Sequence, residues 1–212
     1  IQNAYPYIGV LVWYLFILIL GLLAYPLARL ALPGLGQYAY PLGRIVGLVL
    51  LSWLSWMGGS FGVPYTRSTI TVVVALIATA GVSLWMIRRE RGKAEWNSSR
   101  RFFVTVEILF LVFFLIDLFI RLGNSDIWHP AKGGERPMDF SYFNAVLKST
   151  SFPPYDPWYA GGYINYYYYG FVLAGTPVSA NTSTTTTEPA PDFLSQLLGL
   201  ATGGAGIWDL LN

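Results

Sequence analysis

The sequence has no cysteine and only one histidine, His129, in 212 residues. Disulfides and thiolate metal sites are therefore excluded, and a zinc centre lacks the ligands it usually draws on. Charge is nearly as scarce. Asp, Glu, Lys and Arg make up 11% of the chain, against about 25% in an average soluble domain. The net charge of +2 is too small for the basic footprint of a nucleic-acid binder, so no nucleic-acid partner is read. What replaces charge is apolar: 54% hydrophobic and 17% aromatic residues, with a mean hydropathy of +0.48. That balance belongs to an integral membrane protein of all-α, polytopic class. No basic leader precedes the first apolar run, so no signal peptide is read and the first span is expected to insert itself.

A spanning helix needs about 20 mostly apolar residues. Four stretches qualify: 7–27, 45–63, 68–87 ("STITVVVALIATAGVSLWMI") and 102–120 ("FFVTVEILFLVFFLIDLFI"). Residues 1–122 thus form a four-helix membrane region, with a turn marked by Pro33, Gly34 and Gly36. The loop 88–101 carries Arg88, Arg89, Arg91, Lys93, Arg100 and Arg101. Lys and Arg concentrate in cytoplasmic loops, so this loop is cytoplasmic, as are Arg29 and Arg44. The N-terminus and residues 123–163 are then extracytoplasmic, in the cell membrane.

From Gly123 the composition changes. An interfacial helix is predicted over 138–149, behind Pro137, with Asp139 near its start and Phe140, Phe143, Val146 and Leu147 on one face. The stretch "GGYINYYYYGFV" holds four tyrosines in succession. Such a run fits headgroup depth, where a ring can be buried and its hydroxyl stay wet. Residues 164–178 read as re-entry into the bilayer or the start of a partial fifth span. Residues 179–192 are a Ser/Thr-rich low-complexity linker, whose Asn181 sequon is a chance match. Residues 193–212 are a short, glycine-broken amphipathic segment that reads as foreign to the rest.

Few residues here could carry chemistry. Glu107 and Asp117 lie inside the fourth span, where an ionisable group is expensive and faces protein or water. Ten residues apart, they sit about 80° apart around the helix and roughly 15 Å along it. They can share a broad face turned to neighbouring helices. Asp117 can pair with Arg121, one turn on. Glu107 has no partner in its own helix. It is either a packing group bonded to a helix not contained in this chain or part of a proton or substrate path. The outer loop gathers Asp126, His129, Lys132, Glu135, Arg136, Asp139 and Asp156. Its acids either cap the helix and pair with local bases, or act as a general base or ligands of a divalent cation. Lys132 and Arg136 beside them suit a phosphate.

The stretch "DIWHPAKGGERPMDFSYFNAVLKSTSFPPYDPWYAGGYINYYYYGFVLAGTPV", with the earlier "YAYPLGRIVGLVLLSWLSWMGGSFGVPYTRSTI", resembles the YYY membrane-protein family of green non-sulfur bacteria and archaea. The resemblance covers residues 7–178. By its architecture that family is grouped with the GT-C glycosyltransferases, which use polyprenyl-phosphate sugars outside the cytoplasm. The resemblance implies that Glu135 or Asp139 is the catalytic base, with Asp126 and Asp156 as second choices. It implies that Lys132, Arg136 and Arg121 hold the lipid phosphate. Trp158, Tyr163, Tyr166, Tyr167 and Tyr168 would line the acceptor or lipid groove. Proteins of that class have many more than four or five spans, so this chain alone is expected to be inactive. Two other readings stand beside it: a non-enzymatic subunit of a larger bioenergetic or photosynthetic membrane complex, and a transporter fragment using Glu107 and Asp117.

Overall fold

The structure is a computed structural model that describes residues 6–123, 136–165 and 167–181. Among them it is all-α, with an isolated antiparallel bridge between Tyr155 and Tyr163 and no named strand. Four helices are long and apolar enough to cross a membrane. They are α1 (Pro6–Ala31), α2 (Leu42–Ser60), α3 (Arg67–Ile87) and α4 (Arg89–Gly123). Two shorter helices follow, α5 (Arg136–Lys148) and α6 (Tyr168–Asn181).

Two local structures depart from the sequence reading. The Pro33–Ala39 stretch is a 3-10 helix, broken at Gly36, where φ is 52°. A proline at its first position and a glycine in the left-handed region allow a tight piece of this kind. Residues 89–100 are helical rather than looped and run into α4 across a kink at Ser99, where φ is −120°. Arg, Glu, Lys and Ala are good helix formers, so this charged stretch carries the helix beyond the bilayer-length segment. Between α2 and α3, Gly62 turns the chain at φ 88°, and Thr66 caps α3 by accepting from the Thr69 amide.

The core lies where α1, α2 and α3 meet, around Leu20, Ala24, Leu51, Ile70, Val73 and Ile77. Helices in lipid gain little from hydrophobic association and rely on close backbone approach at small residues. Gly81 of α3 is such a point: a Cβ there would lie 2.0 Å from the Leu23 carbonyl oxygen of α1. On the other side of the core, α6 packs on α2 and α3, and α5 packs on α6. A Cβ at Gly175 of α6 would meet Val146, Leu147 and Phe143 of α5. Three of the four residues foreseen on one face of α5 therefore face another helix. Phe140, the fourth, is 54% exposed.

Helix α4 is different. Only 6% of its apolar window is buried, and it touches the other helices chiefly through side chains. Those contacts include Tyr14 with Phe110 and Phe114, and Tyr25 and Tyr40 with Phe103.

Gly81→Val is expected to destabilise the bundle by about 1–3 kcal/mol, the range for overpacking a tight contact. Gly34→Ala, where an added Cβ meets nothing within 4 Å, should be near neutral. Unfolding midpoints of the two variants in mild detergent check this.

Candidate functional site

Two side-chain clusters stand out, one within the bundle and one at the end where α2 passes into α3. The first is built around Glu107. Its carboxylate accepts a hydrogen bond from the Tyr40 hydroxyl and another from Arg44 Nη2, each at 2.5 Å. Arg44 is 6% exposed, and its guanidinium carbon lies 4.0 Å from the Phe110 ring centroid, one turn along α4 from Glu107. Arg44 Nε has no hydrogen-bond partner among the described residues. Burial, reinforced by the hydrogen bond to Glu107 and its charge, pushes the Tyr40 phenol above its ordinary range. Tyr40 therefore remains a donor.

This cluster revises the reading of Arg44. As a residue of a cytoplasmic loop, Arg44 would be solvated; instead it lies in the first turn of α2 and is buried. An arginine cannot shed its charge on burial, so it takes the nearest carboxylate and an aromatic face. Glu107 has its partner on another helix of this same chain, Arg44 of α2, where the packing alternative looks to a helix outside it. Asp117 does not join it. Asp117 is 72% exposed and pairs with Arg121 at 3.9 Å on the surface of α4. Glu107 and Asp117 thus have separate surroundings.

The second cluster is the folded segment 149–165 together with Tyr167, Tyr168 and Tyr169. Its backbone is held by hydrogen bonds from Tyr65 N to Thr150 O (2.7 Å), from Asp156 N to Gly162 O (2.9 Å) and from Ile164 N to Pro154 O (2.9 Å). Phe152 is its anchor. It is buried against Tyr65, with ring centroids 4.8 Å apart, and stacked with Tyr168. Gly59 makes room for it, since a Cβ at that position would fall 2.6 Å from the Phe152 ring.

The site residues proposed from the sequence separate under this geometry. Tyr168 accepts a hydrogen bond from Trp56 Nε1 at 3.0 Å, and Tyr169 meets Trp56 edge-on. Tyr167 is 72% exposed. With Trp53, Trp56 and Asn165, these three tyrosines line a cleft of about 410 Å³. Trp158 and Tyr163 do not line it. Trp158 donates from Nε1 to Ser141 Oγ of α5 at 2.7 Å. Asp156 Oδ1 accepts from the Trp158 amide. Tyr163 stacks on Tyr155 at 4.8 Å; burial and the adjacent Tyr155 hydroxyl push its phenol up to about 12. Asp139 and Arg136 are exposed in the first turn of α5. Arg121 lies in the last turn of α4. Glu135, Lys132, Tyr166, Asp126 and His129 lie outside the described residues. Among the described residues no group of His, Asp or Glu is clustered to hold a metal ion.

The sequence reading missed Tyr40 and Arg44 as partners of Glu107, and Trp53 and Trp56 as cleft walls. A signal existed for the first pair. A carboxylate deep in an apolar span needs a cation, and Arg44 stands at the edge of another span.

Four bilayer-length helices, an ion pair between two of them and an aromatic end define a polytopic all-α membrane protein. Residues 50–193 match the family described as uncharacterized membrane protein (DUF2298), and the chain belongs to that family. The match runs from the middle of α2 through α6 and past residue 178. Comparison with curated proteins and with solved structures gives no match.

Removing Glu107 leaves a buried cation that cannot neutralise itself. Glu107→Ala is therefore expected to cost about 3–5 kcal/mol. Arg44→Met combined with Glu107→Leu should recover most of that loss. A double-mutant cycle on unfolding in detergent checks it; strictly additive losses would contradict a direct pair.

Proposed function

We propose that the chain is the N-terminal part of a GT-C-like integral membrane glycosyltransferase that takes a polyprenyl-phosphate sugar outside the cytoplasm. The observation that carries the reading is the cleft walled by Trp53, Trp56 and Tyr167 to Tyr169. Indole and phenol rings present flat apolar faces with a polar edge, which suits both an isoprenoid chain and a sugar ring. The order of elements supports it as well. A spanning helix, a stretch of polar sequence and then a short helix with an acid in its first turn come before the aromatic segment. The resemblance of residues 7–178 to the tyrosine-run family points the same way.

In this reading Asp139 or Glu135 takes the proton of an acceptor hydroxyl. The acceptor oxygen bonds to the anomeric carbon from the side opposite the phosphate. The bond from that carbon to the phosphate oxygen breaks, and the lipid phosphate leaves with the electron pair. The configuration inverts. Arg136, Lys132 and Arg121 neutralise the departing phosphate. A divalent cation bound by the acids would serve the same end.

A second reading has its own observation. Asp117 and Arg121 are both more than 70% exposed at the end of the apolar stretch of α4. Charge facing hydrocarbon is costly, so a neighbour over α4 is favoured. This fits a non-enzymatic integral subunit of a larger membrane complex.

The test uses a protein carrying the remaining helices of the class, reconstituted with a polyprenyl-phosphate sugar. Glu135→Gln or Asp139→Asn should leave insertion intact and lower sugar transfer by about 10²–10⁴-fold, the usual contribution of a general base. Unchanged transfer in both variants removes the catalytic assignment. Absence of any transfer, with stoichiometric co-purification of other membrane chains, selects the subunit reading.

A further inference from the structure

A cavity lies away from the aromatic segment, at the end of the bundle where α1, α3 and the charged start of α4 meet. It is a slot of about 640 Å³, walled by Leu23, Tyr25, Pro26, Val82, Trp85 and Trp96 among others. Trp96 is fixed by stacking on Phe103, with centroids 5.4 Å apart. The Tyr25 hydroxyl is buried and has no hydrogen-bond partner among the described residues. At the turn from α3 to α4, three residues on from Trp85 of the slot, Arg88, Arg89 and Arg91, with Glu90 among them, line a second cavity of about 600 Å³. The local acids are already engaged: Glu95 pairs with Arg29, and Glu90 with Lys93. No ion pair holds Arg88, Arg89 or Arg91 among the described residues.

An apolar slot with an unpaired hydroxyl in its wall, and three unpaired arginines at the turn that follows Trp85, has the polarity of a lipid with an anionic headgroup. We propose that this end of the bundle binds an anionic phospholipid of the cytoplasmic leaflet. One acyl chain lies in the slot between α1 and α3, and the phosphate sits against Arg88, Arg89 and Arg91. The Tyr25 hydroxyl donates to an ester oxygen at the slot wall. Basic clusters beside spanning helices attract anionic headgroups, and each base near the surface contributes about fivefold in affinity. Trp85 and Trp96 sit at the depth where indoles favour the interface. The site does not depend on the transferase reading, because it lies at the opposite end from the aromatic cleft.

Fluorescence quenching tests it with the full chain in mixed micelles. The probes are dibrominated phosphatidylglycerol and dibrominated phosphatidylcholine, whose bromines quench indoles on contact. The Trp85→Phe/Trp96→Phe variant isolates the signal of the slot. The glycerol lipid should quench that signal at a mole fraction about fivefold or more below the choline lipid. Arg88→Gln/Arg89→Gln/Arg91→Gln should abolish the difference. Gly92→Leu, whose side chain would grow toward Trp85, should block quenching by both lipids while helicity is retained. Equal quenching by the two lipids overturns the proposal, as does a preference that survives loss of the three arginines. Absence of quenching by either lipid means that protein fills the slot, and also overturns it. Competition by glycerol 3-phosphate as effective as by the lipid assigns the arginines to a free phosphate and overturns the lipid occupant.

Discussion

A charge pair between helices, Arg44 on α2 with Glu107 on α4, is the interaction on which the arrangement of the bundle depends. Helices α1, α2 and α3 hold one another by close packing at small residues. Helix α4 has almost none of that packing. What fixes it is polar and aromatic: Glu107 received by Tyr40 and Arg44, Phe110 beneath the guanidinium, and rings of α1 against Phe103, Phe110 and Phe114. In a low-dielectric setting neither charge can be left alone, so the pair is more a constraint on position than a source of net stability.

The clamp also explains how the two ends of the molecule differ. Beyond Glu107 toward the start of α4, the chain is tied back through Glu95 to Arg29 and through Ser99 to Gln37. Those contacts shape the slot between α1, α3 and α4. At the other end no such ties are described. The aromatic segment folds instead on α2 and on the α2–α3 connection, with Phe152 seated over Gly59. One end is thus basic and slotted, the other ring-rich and cleft.

Much of the architecture was legible because it rests on span length and hydropathy, which are local properties. Four apolar runs of bilayer length became α1 to α4. Two members of the tyrosine run meet Trp56, Tyr168 through a hydrogen bond and Tyr169 edge-on, contacts that the run alone did not foretell. Pairing between distant helices was not legible. Nothing local distinguishes Arg44, which is buried, from Arg88, which is not; both stand at the edge of an apolar run. The face of α5 was only partly readable for the same reason, since α6 rather than lipid covers Phe143, Val146 and Leu147. The helical character of 89–100 was hidden by its charge, which reads as a loop when only span boundaries are sought.

Because the chain has no cysteine of its own, paired cysteines report one contact at a time. The most direct test of the clamp introduces Tyr14→Cys with Phe114→Cys, whose rings lie 5.1 Å apart in the native protein, and adds a short bifunctional thiol linker. Rapid intramolecular cross-linking is expected when Arg44 and Glu107 are present, with a marked loss when Glu107 is replaced by alanine. Cross-linking at the same rate in both backgrounds would contradict the view that this ion pair holds α4 in place.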